Sequence, residues 1–218
     1  TIGKQLEEAI FAHNTMSKQS IRSYSQEILS QLGLAVPNKI LNSYPIELSG
    51  GMCQRVMLAI SLVNNPKLLI ADEVTSALDV TLQADVLDRL KTLCRDLGTA
   101  ILFISHDFGV VANMAHHVGV LYSGTLVESA PVVDLYSKPT HPYTAAMIEA
   151  LPRLDDPNKK LTSLKGNAPS LSELSWNCPF LPRCNKATLI CRAEPRPLIS
   201  EVRPDHCVAC YNPLSFVD

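Results

Sequence analysis

Three short stretches of this chain carry the residue types needed to hold a phosphate and to activate water beside it. The first, Leu48-Ser49-Gly50-Gly51-Met52-Cys53-Gln54-Arg55, sets two glycines after a serine at the start of an apolar run. Backbone N–H groups at a helix start, with no Cβ to block approach, suit an anion. The plainer reading is a serine N-cap with glycines in a turn. The second stretch, Leu68-Leu69-Ile70-Ala71-Asp72-Glu73, ends an apolar strand in two carboxylates. In α/β sheets, ligands bind at that end of a strand. There Asp72 would hold Mg²⁺ through water, and Glu73 would orient or deprotonate an attacking water. An acidic turn closing a strand is the plain alternative. The third stretch, Ile104-Ser105-His106-Asp107, comes after another apolar run. A histidine there would reach a terminal phosphate and pin the attacking water, although by itself it reads as a loop histidine. Ser76-Ala77-Leu78-Asp79 lies between these stretches, and its plain reading is a helix N-cap.

The cysteines form a second constellation. Cys178, Cys184 and Cys191 are followed by Cys207 and Cys210, whereas Cys53 and Cys94 sit in helical patterns as buried hydrophobes. Crowding of five thiols into the tail favours a local ligand set over a disulfide framework. Four thiolates suit tetrahedral zinc or an iron–sulfur cluster. The five- and six-residue gaps are wider than zinc pairs usually show, and unligated thiols in an irregular tail are the third reading.

Periodicity supplies the elements that would position these groups. Residues 1–48 read as helical, with Ile2, Leu6 and Ile10, then Tyr24, Ile28 and Leu32, recurring at i+4. Ser17 is the expected N-cap and Gly33 the stop, and Pro37 and Pro45 break the stretch beyond Gly33. A helix over about 51–64 ends before Pro66. Leu68–Ala71 is a buried parallel strand. A helix over 81–97 carries Val86, Leu90, Leu93 and Leu97 on one stripe and closes at Gly98. Ala100–Ile104 is a second strand, so strand, helix and strand make a right-handed crossover. Phe108–His116 reads as a helix. Val118–Tyr122 and Thr125–Glu128 flank Ser123-Gly124, a two-residue hairpin signal. Helices are expected near Val132–Tyr136 and Tyr143–Leu151. Beyond Pro152 prolines multiply and periodicity fades, which predicts a loop-rich extension without a large core.

Bulk properties narrow the function classes. With 218 residues the chain can bury one good core and a small second module. Nineteen Lys and Arg against 21 Asp and Glu argue against a broad basic surface for nucleic acid. No apolar run approaches the ~18–20 residues of a membrane span, and no secretory pattern opens the chain. Thr1 stands inside a helix-like stretch, so the chain is expected to be cut from a longer polypeptide.

The segments Leu48–Ile60, Leu68–Thr81 and Ile104–Asp107, in this order and spacing, resemble the signature, Walker B, D-loop and switch-histidine segments of the ATP-binding-cassette (ABC) ATPases. His141-Pro142-Tyr143-Thr144, Ala150-Leu151-Pro152-Arg153-Leu154, Gly166-Asn167-Ala168-Pro169 and the cysteine tail resemble the oligopeptide/dipeptide importer branch. The resemblance implies an α/β fold, a partial P-loop NTPase core with a helical subdomain and a loop-rich cysteine-containing extension. The implied division is 1–66, a helical subdomain with the signature helix; 67–151, the distal half of the RecA-like core and following helices; and 152–218, the extension. It also implies that Ser49, Gly50 and Gly51, with Gln54, contact nucleotide in a partner subunit's site. Asp72 would serve Mg²⁺, Glu73 the water and His106 the terminal phosphate of ATP, while Asp79 would couple the two sites of a head-to-tail dimer. Transmembrane permease subunits and, indirectly, an extracytoplasmic peptide-binding protein are the implied partners, with no nucleic acid. The implied location is the cytoplasmic face of the cell membrane. On the tail the resemblance implies a [4Fe-4S] cluster on Cys178, Cys184, Cys191 and Cys210, with zinc less favoured and Cys207 an extra.

The departures are specific. Val74 stands where the family usually has proline, and Cys53 where the branch usually has a polar residue. The Gly-x-x-x-x-Gly-Lys-Ser/Thr loop does not occur in these residues, nor does a glutamine segment ahead of Thr1. The chain alone is therefore expected neither to bind ATP tightly nor to hydrolyse it. Two other readings stand beside the importer subunit: a non-transport ABC protein acting on ribosomes or DNA, and a metal-binding interaction module with an inactive ATPase remnant.

Overall fold

A computed structural model describes residues 1–74, 80–151 and 164–215. The Ser76-Ala77-Leu78-Asp79 segment lies outside these residues, as does the 152–154 part of the branch motif. The chain divides into two compact units, Thr1–Asp107 and Phe108–Asp218.

The first unit begins with four helices, α1 (Ile2–Phe11), α2 (Lys18–Gln31), α3 (Pro37–Asn42) and α4 (Gly50–Leu62). Their apolar stripes meet: Ile2, Leu6 and Ile10 of α1 are buried with Ile28 and Leu29 of α2, Leu41 of α3 and Leu62 of α4. Ser17 caps α2 by accepting from the Ser20 N–H at 3.2 Å. Gly33, with φ +80°, turns the chain beyond it. Pro37 and Pro45 do not break helical structure as expected. Each sits in the first turn of a short helix, where the missing N–H would have no partner anyway.

Strand β1 (Leu68–Asp72), helix α5 (Val80–Leu97) and strand β2 (Ala100–Ile104) come next, and β1 pairs β2 in parallel. Val86, Leu90, Leu93 and Cys94 of α5 are buried, as the predicted stripe requires apart from its last member. One face of the strand pair is apolar and open: Ile70 is 62 % exposed and Leu102 50 %.

The second unit contains α6 (Phe108–Met114), β3 (His117–Tyr122), β4 (Thr125–Pro131), α7 (Val132–Ser137), α8 (Pro142–Glu149), α9 (Leu189–Ala193), β5 (Ser200–Arg203) and β6 (His206–Val208). Ser123 and Gly124 both have positive φ, the signature of the tight hairpin turn between β3 and β4. The tail is more ordered than its composition predicts. β6 pairs β4 and carries β5, giving an antiparallel sheet in the order β3-β4-β6-β5. Its core joins Val120, Tyr122, Val127, Ala130 and Leu135 to Phe180 of the tail. Tyr122, Tyr143 and Phe180 pack ring against ring with centroids 4.6–5.4 Å apart.

Candidate functional site

Parallel pairing sets Asp72 opposite Ile104. The residues beyond the two strands, Glu73 and Ser105-His106, therefore leave the sheet side by side at its carboxyl edge. Glu73 adopts φ 49°, which costs a residue with a Cβ roughly 1–2 kcal/mol. Its N–H donates to the Ile104 carbonyl at 3.0 Å, holding that turn against β2. The carboxylate reaches the neighbouring loop. Oε1 accepts from the His106 backbone N–H at 3.2 Å and lies 2.7 Å from His106 Nδ1. The hydrogen bond to Glu73, then the Glu73 charge, raise the imidazole pKa above its ordinary value, with Asp107 adding to this against desolvation. Both groups face solvent, His106 at 82 % and Glu73 at 39 % exposure, and Asp72 beside them is exposed as well. A hard oxygen donor next to a carboxylate–imidazole pair suits a hydrated divalent cation and a polarised water.

Ser49, Gly50 and Gly51 form a group of their own at the start of α4. The Ser49 hydroxyl accepts from the Met52 N–H at 3.3 Å, so the serine does cap its helix. Gly50 is exposed, and a Cβ on it would meet nothing within 4 Å, which leaves the helix start open to a large anion. Arg55, one turn on, donates to the Gly51 carbonyl at 3.3 Å and to the Gly33 carbonyl at 3.0 Å. It thereby ties α4 to the turn after α2, a role its sequence position did not announce. Gln54 Oε1 is sealed from solvent without a hydrogen-bond partner. Asp79 lies outside the described residues.

Cys178, Cys184, Cys191 and Cys210 line one pocket of the second unit, together with His141 and Phe180. Cys207 stands on β6 opposite Ser129 and Glu201, away from that wall. Burial raises the Cys178 and Cys184 thiols and pushes Cys210 to about 11, while backbone N–H groups of Phe180, Leu181, Lys186 and Asn212 oppose this by donating to the sulfurs. The lining contains no carboxylate. Such a soft donor set, with amide N–H groups on its sulfurs, fits a thiolate-bound group whose binding displaces protons. Among the described residues no three His, Cys, Asp or Glu side chains are arranged to hold a single metal ion.

Sequence reasoning missed a buried polar network beside this pocket. Glu128 of β4 accepts from the backbone N–H of Thr140 at 2.5 Å and of His141 at 2.9 Å, and His206 Nε2 lies 2.7 Å from its carboxylate. Arg203 donates to Thr140 Oγ1 at 2.8 Å. Glu128 and His206 are 0 % and 1 % exposed. They are separated by 78 residues, so no local pattern joins them; the lone charged residue of β4 was the one available signal.

Residues 3–76 match the ABC transporter family, and residues 127–191 match the oligopeptide/dipeptide transporter C-terminal region. The chain belongs to the ABC transporter family, in its oligopeptide/dipeptide branch. It is 44 % identical over 212 residues to the probable peptide ABC transporter ATP-binding protein y4tR of Sinorhizobium fredii, covering 97 % of this chain and 63 % of that protein. Against the oligopeptide transport ATP-binding protein AppD of Bacillus subtilis, identity is 44 % over 211 residues, covering 97 % and 64 %. Against OppD of Salmonella typhimurium it is 42 % over 213 residues, covering 98 % and 63 %. The chain thus spans less than two thirds of the length of these relatives. The dimeric ATP-binding cassette MJ0796, solved in a post-hydrolysis state with ADP and Pi, superposes with a TM-score of 0.54 at 29 % identity, covering 61 % of this chain and 56 % of that one. The α/β architecture is accordingly that of part of an ABC ATPase core. Among the described residues no helix is long and apolar enough to cross a membrane.

Proposed function

We propose that this chain supplies the water-activating and signature elements of an ABC-type ATPase that energises uptake of oligopeptides or dipeptides. The observation that carries this reading is the Glu73–His106 pair at the adjoining ends of two parallel strands, with Asp72 beside it. Glu73 takes the proton of the attacking water, and His106, held by Glu73, faces the terminal phosphate of ATP. Asp72 would hold Mg²⁺, and the ion would offset phosphate charge. Ser49, Gly50, Gly51 and Gln54 complete the nucleotide site of a second ATPase subunit in a head-to-tail dimer, and Asp79 couples the two sites. The 1–66 segment serves as the helical subdomain that meets the permease, 67–151 as the distal core and 152–218 as the extension. The working place is the cytoplasmic face of the cell membrane, with a peptide-binding protein on the other side. The dimeric state of MJ0796 and the peptide-transport names of the relatives support these assignments.

The cysteine pocket is proposed to hold a [4Fe-4S] cluster on Cys178, Cys184, Cys191 and Cys210. A cluster takes its thiolates at separate corners. This agrees better with four thiols spread around one pocket than does zinc, whose ligands converge on a point about 2.3 Å away.

The test is ATP turnover by the chain assembled with a second ABC ATPase subunit that supplies a Gly-x-x-x-x-Gly-Lys-Ser/Thr phosphate loop. Glu73→Gln and His106→Ala should each lower turnover by about 100- to 10,000-fold. Cys207→Ser should leave it unchanged. Wild-type rates in Glu73→Gln would remove Glu73 from the chemistry.

A further inference from the structure

His141 is the one imidazole in the wall of the cysteine pocket, and none of the assigned roles uses it. It is 1 % exposed and packs against the Phe180 ring with centroids 5.8 Å apart. Two contacts fix it. Its backbone N–H donates to Glu128 Oε2 at 2.9 Å, and its Nδ1 accepts from the Tyr143 N–H at 3.0 Å, capping α8. An Nδ1 that accepts cannot carry the proton of a neutral ring, so the proton sits on Nε2. Burial holds this ring neutral, with its pKa lowered to about 4 against the pull of Glu128. The result is a buried Nε2–H donor of fixed tautomer and fixed orientation. It shares a pocket with four thiols and, among the described residues, meets no other acceptor.

We propose that His141 is a positioning residue for the thiolate-bound cluster, its Nε2–H donating a hydrogen bond to a sulfur and so setting the cluster's reduction potential. This rests on the cluster reading given above. A donor to sulfur withdraws electron density and favours the reduced, more negative state, so its loss lowers the potential. Glu128 enters this arrangement as the group that holds the His141 backbone in place. His141 itself supplies no ligand.

Two substitutions separate the two nitrogens. His141→Asn keeps a short acceptor suited to the N-cap and loses the distal donor. His141→Gln keeps a longer side chain with a distal N–H and loses the cap. The full chain and both variants are reconstituted anaerobically with iron and sulfide, and iron content, absorption near 400 nm and midpoint potential are measured. The expected result is a cluster in all three proteins and a lower potential in His141→Asn. At the wild-type midpoint the oxidised-to-reduced ratio should rise about tenfold, equivalent to ~59 mV for one electron. His141→Gln should stay nearer to wild type. Selective ¹⁵N-histidine labelling of the unmutated chain gives a readout that depends on no variant: pulsed EPR of the reduced cluster should show coupling to one histidine nitrogen. A cluster with no such coupling, or with an unchanged potential in His141→Asn, overturns the role of His141 and leaves the cluster standing. A wild-type chain that takes up no iron overturns both.

Discussion

At the scale of single residues, the chemistry gathers in one short contact. Glu73 and His106 are 33 positions apart in sequence and 2.7 Å apart in space. Because Glu73 raises the His106 pKa, the protonated imidazole is favoured in the folded chain. By linkage, the stabilisation is complete below the unfolded value of 6.5 and is lost as pH rises through the higher folded value. In a histidine-resolved NMR titration, His106 should titrate above 6.5, and Glu73→Gln should bring it back toward that value. A His106 that titrates identically in both proteins would show that the contact does not persist in solution. These residues were legible beforehand because each lies in a contiguous motif of a few positions. Gln54 and Arg55 were legible as members of such a motif but not in what they do. The two bonds of Arg55 to the Gly33 and Gly51 carbonyls depend on how two helices approach each other.

At the scale of elements, periodicity located α1, α2, α4, α5, the β1–β2 crossover and the β3–β4 hairpin, because each declares its buried face within a few turns or strand pairs. Capping was equally local. Ser49 accepts from the Met52 N–H, so Ser49→Ala should destabilise α4 by about 1 kcal/mol, read as a fall of roughly 2–4 °C in the thermal midpoint. Ser49→Asp, which can still accept that bond, should restore most of the loss; a neutral Ser49→Ala would mean that the hydroxyl does not cap the helix. The prolines were read for their inability to continue a helix, whereas Pro37 and Pro45 use the same missing N–H to begin one. Strands β5 and β6 were not legible. They have four and three residues, and their partner β4 lies far back in the chain.

At the scale of the whole molecule, each unit closes on its own core, and the second depends on residues from its two extremes. Glu128 receives two backbone N–H groups and His206 at a site sealed from water. Glu128→Ala leaves the Thr140 and His141 N–H groups without their acceptor and His206 Nε2 with Thr140 Oγ1 alone, 3.0 Å away, and the loss of one partner from a buried pair costs about 3–5 kcal/mol. The second unit of that variant should therefore be cleaved much faster near residues 200–208 under limited proteolysis, with the first unit unaffected. Equal cleavage in the two proteins would show that the network is not what fastens the tail. The strand order β3-β4-β6-β5 also has a consequence in time. Synthesis at about 5–20 residues per second makes the nascent β4 edge wait roughly 4–16 s for a partner 78 positions later. Through that interval Glu128 has no imidazole to meet and Phe180 arrives without the last strands. Hydrogen-exchange labelling of stalled chains should find the second unit unprotected until β6 has cleared the ribosome, so a premature stop before His206 would forfeit the whole unit rather than only its end.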